Sequence, residues 1–297
     1  MNRIVFFGTE SESALVLEKL IANNFDIVAI ITKPDSQRGR GRKIDSPATK
    51  KVADANNIKC LQPDNLLDIQ DDLHNIISLN SVKIGVLVSY GKIIPTSIIN
   101  AFPKGIINIH PSLLPKYRGP SPIETAILNG DQKTGVSIMA LSAQMDAGPI
   151  YIQTSVPLND KEYSSNLYET LFNLGGDILV ENFEKIANSE IKPTEQDSSR
   201  ATYCQLLNKS EGNLNPATMT ASECERRVRA FSKYPKTRID FAGHNIIITK
   251  SHTEQYESKF GVKCADDKWL AIDELISPSS GKKMSAESYL NGLKPQA

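Results

Sequence analysis

The 297-residue sequence predicts an α/β protein: a domain built on a mostly parallel sheet covered by helices on both faces, then a small β-barrel domain. Three observations predict it. Short continuous apolar runs alternate with helical patterns through the first two thirds, and runs apolar on both faces belong to strands buried on both sides. A polar stretch, Ile191 to Arg200, then ends that periodicity. Several strand-like runs follow in the last third, the pattern of a small barrel.

Taken in order, Ile4-Val5-Phe6-Phe7 reads as the first strand and Gly8-Thr9 as its turn. A helix follows with Ala14, Leu17, Leu20 and Ile21 on one face. Ile27 to Ile31, Ile84 to Val88 and Gly105 to Ile109 are the next buried strands; Gly135 to Met139 and Pro149 to Ile152 are later ones. Ser165 to Ala187 carries a long helical pattern. The expected organisation is a catalytic domain over 1–190, a linker over 191–206 and a second domain over 207–297. In the latter, Thr220-Ala221-Ser222-Glu223 is a capping box opening a helix with apolar Cys224, Val228 and Phe231. Strands are expected at Thr237 to Phe241, Asn245 to Lys250, Gly261 to Ala265 and Lys268 to Leu275.

Several function classes lose support. No apolar run approaches the ~20 residues of a membrane helix, and the first apolar stretch turns polar too soon for a signal peptide. The cysteines, at 60, 204, 224 and 264, form neither a C-x-x-C pair nor a pattern with histidines. That speaks against a disulfide scaffold and against a zinc site, and for a reducing cytoplasm. Neither a G-x-G-x-x-G follows the first strand nor a P-loop occurs, so dinucleotide binding and P-loop chemistry lack their usual supports. Net charge is zero overall, yet slightly negative over 1–200 and slightly positive after it, a weak hint of a polyanionic partner for the C-terminal part.

In open α/β sheets ligands sit beyond the C-terminal strand ends. Asn108 and His110 lie at such an end, two residues apart and so on one face, and Pro111 stops the ladder. An amide donor beside an imidazole suits acyl transfer: one stabilises an oxyanion while the other moves a proton. The loop Ser142 to Gly148 supplies Asp146, which could orient the histidine. By spacing alone a satisfied strand-end histidine and two turn residues fit equally well.

The run Asn108-Ile109-His110-Pro111-Ser112-Leu113-Leu114-Pro115-Lys116-Tyr117-Arg118-Gly119, with Asp146-Ala147-Gly148-Pro149-Ile150, resembles the signature of the folate-dependent formyltransferases. The resemblance implies a Rossmann-like catalytic domain and an OB-like second domain. It implies 10-formyltetrahydrofolate as formyl donor, without a metal, and Asn108, His110 and Asp146 as catalytic residues. It also implies a folate site at Ser112, Leu113, Leu114 and Pro115; because a pterin needs apolar walls and a few backbone partners, the loop Ser142 to Gly148 is expected to complete it, with Val88 and Tyr90 nearby.

Between Lys33 and Lys51 stand seven basic residues against two acidic, with glycines between arginines in Arg38-Gly39-Arg40-Gly41-Arg42-Lys43. Such a loop can fold onto a phosphate backbone, although a merely solvated basic loop would look the same. It resembles the loop by which one branch of that family enters the acceptor arm of initiator methionyl-tRNA. Arg226-Arg227-Val228-Arg229-Ala230-Phe231 and Gly281-Lys282-Lys283-Met284 resemble the C-terminal domain of that branch. The implied partners are therefore initiator methionyl-tRNA, held by Arg38, Arg40, Arg42 and Lys43, and folate, with the enzyme a cytoplasmic monomer. An amino-sugar formyltransferase using the same donor, and a non-catalytic tRNA-binding protein, are the alternatives. Two features depart from the family pattern: Gly8-Thr9-Glu10-Ser11 where members usually have Gly-Thr-Pro, and a short stretch between Lys250 and Gly261.

Overall fold

Arg3–Gly8 (β1) is buried at all but its first residue, and its neighbours in space are strands far away in sequence. The structure, a computed structural model, describes residues 2–38, 43–241 and 243–293. The chain packs as two units: Met1–Gly119 with Gly135–Val156 and Tyr168–Tyr203, and Pro120–Thr134 with Pro157–Leu167 and Cys204–Ala297.

After β1 come α1 (Ser11–Ala22), β2 (Asp26–Ile31), β3 (Ser36–Arg38), β4 (Lys43–Asp45), α2 (Ala48–Ala55), β5 (Cys60–Leu61), α3 (Gln70–Leu79) and β6 (Ile84–Val88). Then follow α4 (Thr96–Ala101), β7 (Ile106–His110), α5 (Pro122–Leu128), β8 (Lys133–Ala140), β9 (Ile150–Pro157) and α6 (Ser164–Ala187). The main sheet has seven strands in the order β5-β2-β1-β6-β7-β8-β9. The pairings from β5 to β7 are parallel, and β8 turns antiparallel to β7. This is the α/β sheet that the doubly apolar runs predict. Val5, Phe7, Ala29 and Ile31 enter one apolar layer with Leu73, Ile77 and Ile98, while the alternate residues Ile4, Phe6 and Ile30 are fully buried too. Helix α6 lies close over β7: a Cβ at Gly175 would come within 2.6 Å of Ile109 Cγ2, so only glycine fits.

In the second unit, α7 (Ala221–Ala230) opens with the expected capping box. The Thr220 hydroxyl accepts from Glu223 N, and the Glu223 carboxylate accepts from Thr220 N. The sheet comprises β10 (Thr237–Phe241), β11 (His244–Glu254), β12 (Gly261–Lys263), β13 (Trp269–Ile276) and β14 (Lys283–Ser285), followed by α8 (Ala286–Asn291). It is antiparallel, ordered β10-β11-β13-β12 with β14 also on β13, and forms an OB-like half-barrel. Its core gathers Cys224 and Val228 of α7 with Ile246, Ile248, Leu270, Ile272 and Leu275. Helix α5 packs on α7. Among the described residues, no helix is long and apolar enough to cross a membrane.

Some elements differ from expectation. Helix α1 buries Ser13, Val16, Leu17 and Leu20, leaving Ala14 and Ile21 half-buried. Ser13 is drawn inward because its hydroxyl donates to the Val88 carbonyl and accepts from Thr9 N. Strand β11 extends to Glu254, four residues past the apolar run, because β13 continues to pair with it. Strand β12 stops at Lys263. The hairpin β3–β4, β5, α4, α5, β14 and α8 span too few residues to show a period.

Candidate active site

Asn108 and His110 close β7 in the centre of the sheet. Asn108 lies opposite Leu87 of β6 and Met139 of β8, and His110 opposite Ser137. Both side chains are almost fully enclosed, 6% and 5% exposed. The His110 Nε2 is 2.9 Å from the carbonyl oxygen of Tyr117. A carbonyl only accepts, so Nε2 carries the hydrogen and Nδ1 of the neutral ring keeps its lone pair. That Nδ1 faces Asp146 Oδ2 at 3.7 Å. The gap is too long for a hydrogen bond, and the two become an ion pair once the ring takes up a proton. The same Oδ2 accepts from Gly119 N at 2.7 Å. His110 and Asp146, both named from the sequence, thus face each other across 36 residues of chain, with Asn108 two residues before His110 on β7.

The backbone around them is unusual. Tyr117 and Asp146 have φ of 60° and 48°, the left-handed region that costs a non-glycine residue on the order of 1 kcal/mol or more. Gly148 is wedged against β8, where a Cβ would overlap the Ala140 carbonyl oxygen. Segment 112–115 is held by polar groups that spacing alone did not single out. The Ser137 hydroxyl donates to the Ser112 carbonyl and accepts from Leu114 N. Gln153 donates to Ser137 Oγ and the Leu114 carbonyl, both at 2.9 Å. The Leu114–Pro115 bond is cis. Ser112 and Leu114 are buried, while Leu113 and Pro115 are half-buried.

Val88 and Tyr90 sit differently. Val88 is fully buried, and the Tyr90 ring belongs to the apolar layer of β1 and α4, edge-on to Phe7 at 6.0 Å. Burial pushes its phenol up to about 12. Both carbonyls are occupied, by Ser13 and Thr9 hydroxyls. The basic hairpin is partly described: Arg38 and Lys43 oppose each other across β3–β4, whereas Arg40 and Arg42 lie outside the described residues. Lys50 and Lys51 are paired with Asp35 and Asp45 at 2.8 and 2.7 Å. Hydrogen bonds from Gln62 and then Lys50 hold the Asp35 carboxyl below its ordinary value.

Arg118 and Gln196 carry no sequence assignment, yet they border the site. Arg118 is 2% exposed, and its Nε and Nη2 donate to Gln196 Oε1 at 3.1 and 2.8 Å.

The match with known proteins covers both parts of the chain. Residues 1–183 match the formyl transferase family model and residues 206–294 its C-terminal domain model. The chain belongs to the formyl transferase family. Among curated relatives of this formyl transferase is the methionyl-tRNA formyltransferase of Chloroflexus aurantiacus (strain ATCC 29366 / DSM 635 / J-10-fl), 38% identical over 98% of this chain and 97% of that protein. The methionyl-tRNA formyltransferase of Lactobacillus delbrueckii subsp. bulgaricus is 33% identical over 98% and 95%. Among solved structures, an N-formyltransferase from Helicobacter canadensis in complex with folinic acid and dTDP-3-aminofucose has a TM-score of 0.69 at 21% identity, covering 92% of this chain and 99% of that one. HypX from Aquifex aeolicus, in complex with tetrahydrofolic acid, has a TM-score of 0.66 at 15% identity over 97% of this chain and 46% of that one. These two similarities establish the fold that the formyl transferase shares with them.

Proposed function

We propose that this formyl transferase moves the formyl group of 10-formyltetrahydrofolate onto the α-amine of initiator methionyl-tRNA, as a monomer in the cytoplasm. The observation that carries the chemistry is the placing of Asn108 and His110, both buried, at the end of β7 with Asp146 facing His110 at 3.7 Å. The acceptor rests on similarity along both domains to proteins named methionyl-tRNA formyltransferases. The four cysteines are free, which suits a reducing compartment.

The donor set fits a folate formyl donor. Asn108 offers an amide N–H where the formyl oxygen gains charge, and preorganised donors of this kind are a large share of acyl-transfer catalysis. His110 adds its positive charge when protonated. Asp146 stabilises that charge and takes, through water, the proton the attacking amine must lose; as the tetrahedral intermediate collapses the formyl C–N10 bond breaks and that proton goes to N10 of the departing tetrahydrofolate. An α-amine with a reference pKa of about 7.7–8 is only about 10–20% neutral near pH 7, so reaching the neutral, attacking form costs about 1–1.4 kcal/mol. Segment 112–115 and the loop 142–148 form the walls for the pterin ring: apolar surface with backbone groups that orient it. Arg38, Arg40, Arg42 and Lys43 contact the acceptor arm.

The test is a formylation assay with 10-formyltetrahydrofolate against charged initiator tRNA, charged elongator tRNA and a nucleotide-linked amino sugar. Preferential formylation of the initiator supports the reading. Turnover on the sugar alone would establish the amino-sugar reading, and no turnover on any acceptor the non-catalytic one.

A further inference from the structure

The segment after α6 has a linker's composition, yet it is tied down residue by residue within the first unit. Thr194 exchanges both backbone hydrogen bonds with Ile150. Thr202 O accepts from Arg118 N at 2.8 Å, and its hydroxyl accepts from Tyr117 N at 2.9 Å. Between these anchors, the Gln196 carboxamide reaches the loop that bears Asp146. Its Nε2 donates to the carbonyls of Asp146 and Gly148 at 2.8 and 2.7 Å. Its Oε1 accepts two bonds from Arg118. The orientation of this amide is determined by chemistry: a guanidinium only donates, so the atom facing Arg118 must be the oxygen. Every donor and acceptor of the side chain is then used.

Dipeptide 118–119 therefore holds Asp146 twice. Gly119 N binds the carboxylate directly, and Arg118 binds the Asp146 backbone through Gln196. The second tie acts where it is needed, since Asp146 has a φ of 48°, a conformation a free loop would leave. The carboxylate on this backbone stands 3.7 Å from His110 Nδ1.

We propose that Gln196 is a positioning residue for the reaction: it locks the left-handed backbone at Asp146 so that the carboxylate stays opposite His110. This rests on the catalytic reading of Asp146 given above. Misplacing a reacting group by about 1 Å can lower turnover on the order of 10²-fold, so loosening this loop should lower kcat by roughly 10- to 100-fold.

The experiment uses the full chain with Gln196→Met, which keeps the length and removes both donors, and Gln196→Glu, which keeps the shape but turns carboxylate oxygens toward two carbonyls. Each is made alone and together with Asp146→Asn, and kcat is read by single-turnover formylation. The expected result is a fall in kcat with KM for either substrate changed less than about 3-fold, thermal unfolding near that of the parent, and less than about 2-fold further loss in the Asp146→Asn background. Residues acting as one unit show this non-additivity. Equal losses in both backgrounds, wild-type kcat in both Gln196 variants, or collapse of the fold in both would overturn the proposal. If Asp146→Asn alone keeps full turnover, the catalytic reading of Asp146 fails first and the proposal with it.

Discussion

His110 shows how much of a residue's role its partners decide. Alternation along β7 aims Asn108 and His110 together, but the Tyr117 carbonyl selects which ring nitrogen carries hydrogen, and Gly119 N selects which Asp146 oxygen faces the ring. His110→Ala and Asp146→Asn should each lower kcat on the order of 10²-fold or more while the fold persists, and Asn108→Ala on the order of 10²–10³-fold. Steady-state formylation with circular dichroism as the folding control checks this; a variant near parental turnover loses its assigned role. A second histidine, His252 on β11, lies between Asp273 and Glu254 at 2.9 and 3.0 Å. Partial burial alone would lower its pKa, but the two carboxylates outweigh that and raise it. The protonated ring thus stabilises the folded state in full below the unfolded value of about 6.5, and the contribution fades as pH rises through the higher folded value. With the ring 52% exposed, the effect should stay below about 1 kcal/mol. Melting curves of the parent and His252→Gln should therefore differ most at pH 5.5–6 and converge near pH 8–9. A constant offset across that range would remove the assignment.

Elements in this protein are held by close approaches that a substitution would reopen. Loop 142–148 meets β8 at Gly148, where the Ala140 carbonyl oxygen leaves no room for a methyl group. Gly148→Ala must displace backbone on one side, and the loop carrying Asp146 is the less anchored side. Turnover should fall by at least about 10-fold with a destabilisation of about 1–3 kcal/mol, read by kinetics and urea unfolding together. Parental values in both would mean the loop relaxes freely. In the second unit, α7 is fixed by Arg229, 3% exposed, which donates to Glu225 and Asp160 at 2.7 and 2.6 Å. Burial alone would lower its pKa, and the two carboxylates raise it instead. Arg229 and Arg227, quoted from the sequence only as part of a family resemblance, are structural: Arg227 donates to the Glu211 carbonyl.

For the molecule as a whole, zero net charge conceals the basic hairpin between β2 and α2. Lys50 and Lys51 are already paired, and the contact proposed above for the acceptor arm rests on the sequence of Arg38 to Lys43. Arg40→Ala and Arg42→Ala should each weaken use of tRNA and flatten its log–log salt dependence by about one unit for each phosphate no longer neutralised. Folate KM should hold, since the hairpin is no part of the proposed pterin walls. Titrating tRNA and folate separately at several salt concentrations checks it; unchanged tRNA kinetics in both variants would reduce the loop to solvated surface.

Read alone, the sequence determined the parallel sheet, the capped helix α7, the antiparallel second unit and the pairing of Asn108 with His110. Each is encoded locally, in runs, alternation and capping residues a few positions apart. Resemblance to a family turned Asp146 from one possible partner of the histidine into an expected catalytic residue. Tertiary structure alone decided the His110 tautomer, the burial of Tyr90 in the apolar layer, and the work of Ser137, Gln153, Arg118 and Gln196 in holding loops. The reason is physical: a hydrogen bond between residues 50 apart, such as Gln196 to the Asp146 carbonyl, leaves no periodicity in either segment. A polar residue that braces a backbone looks, in sequence, like one that faces water.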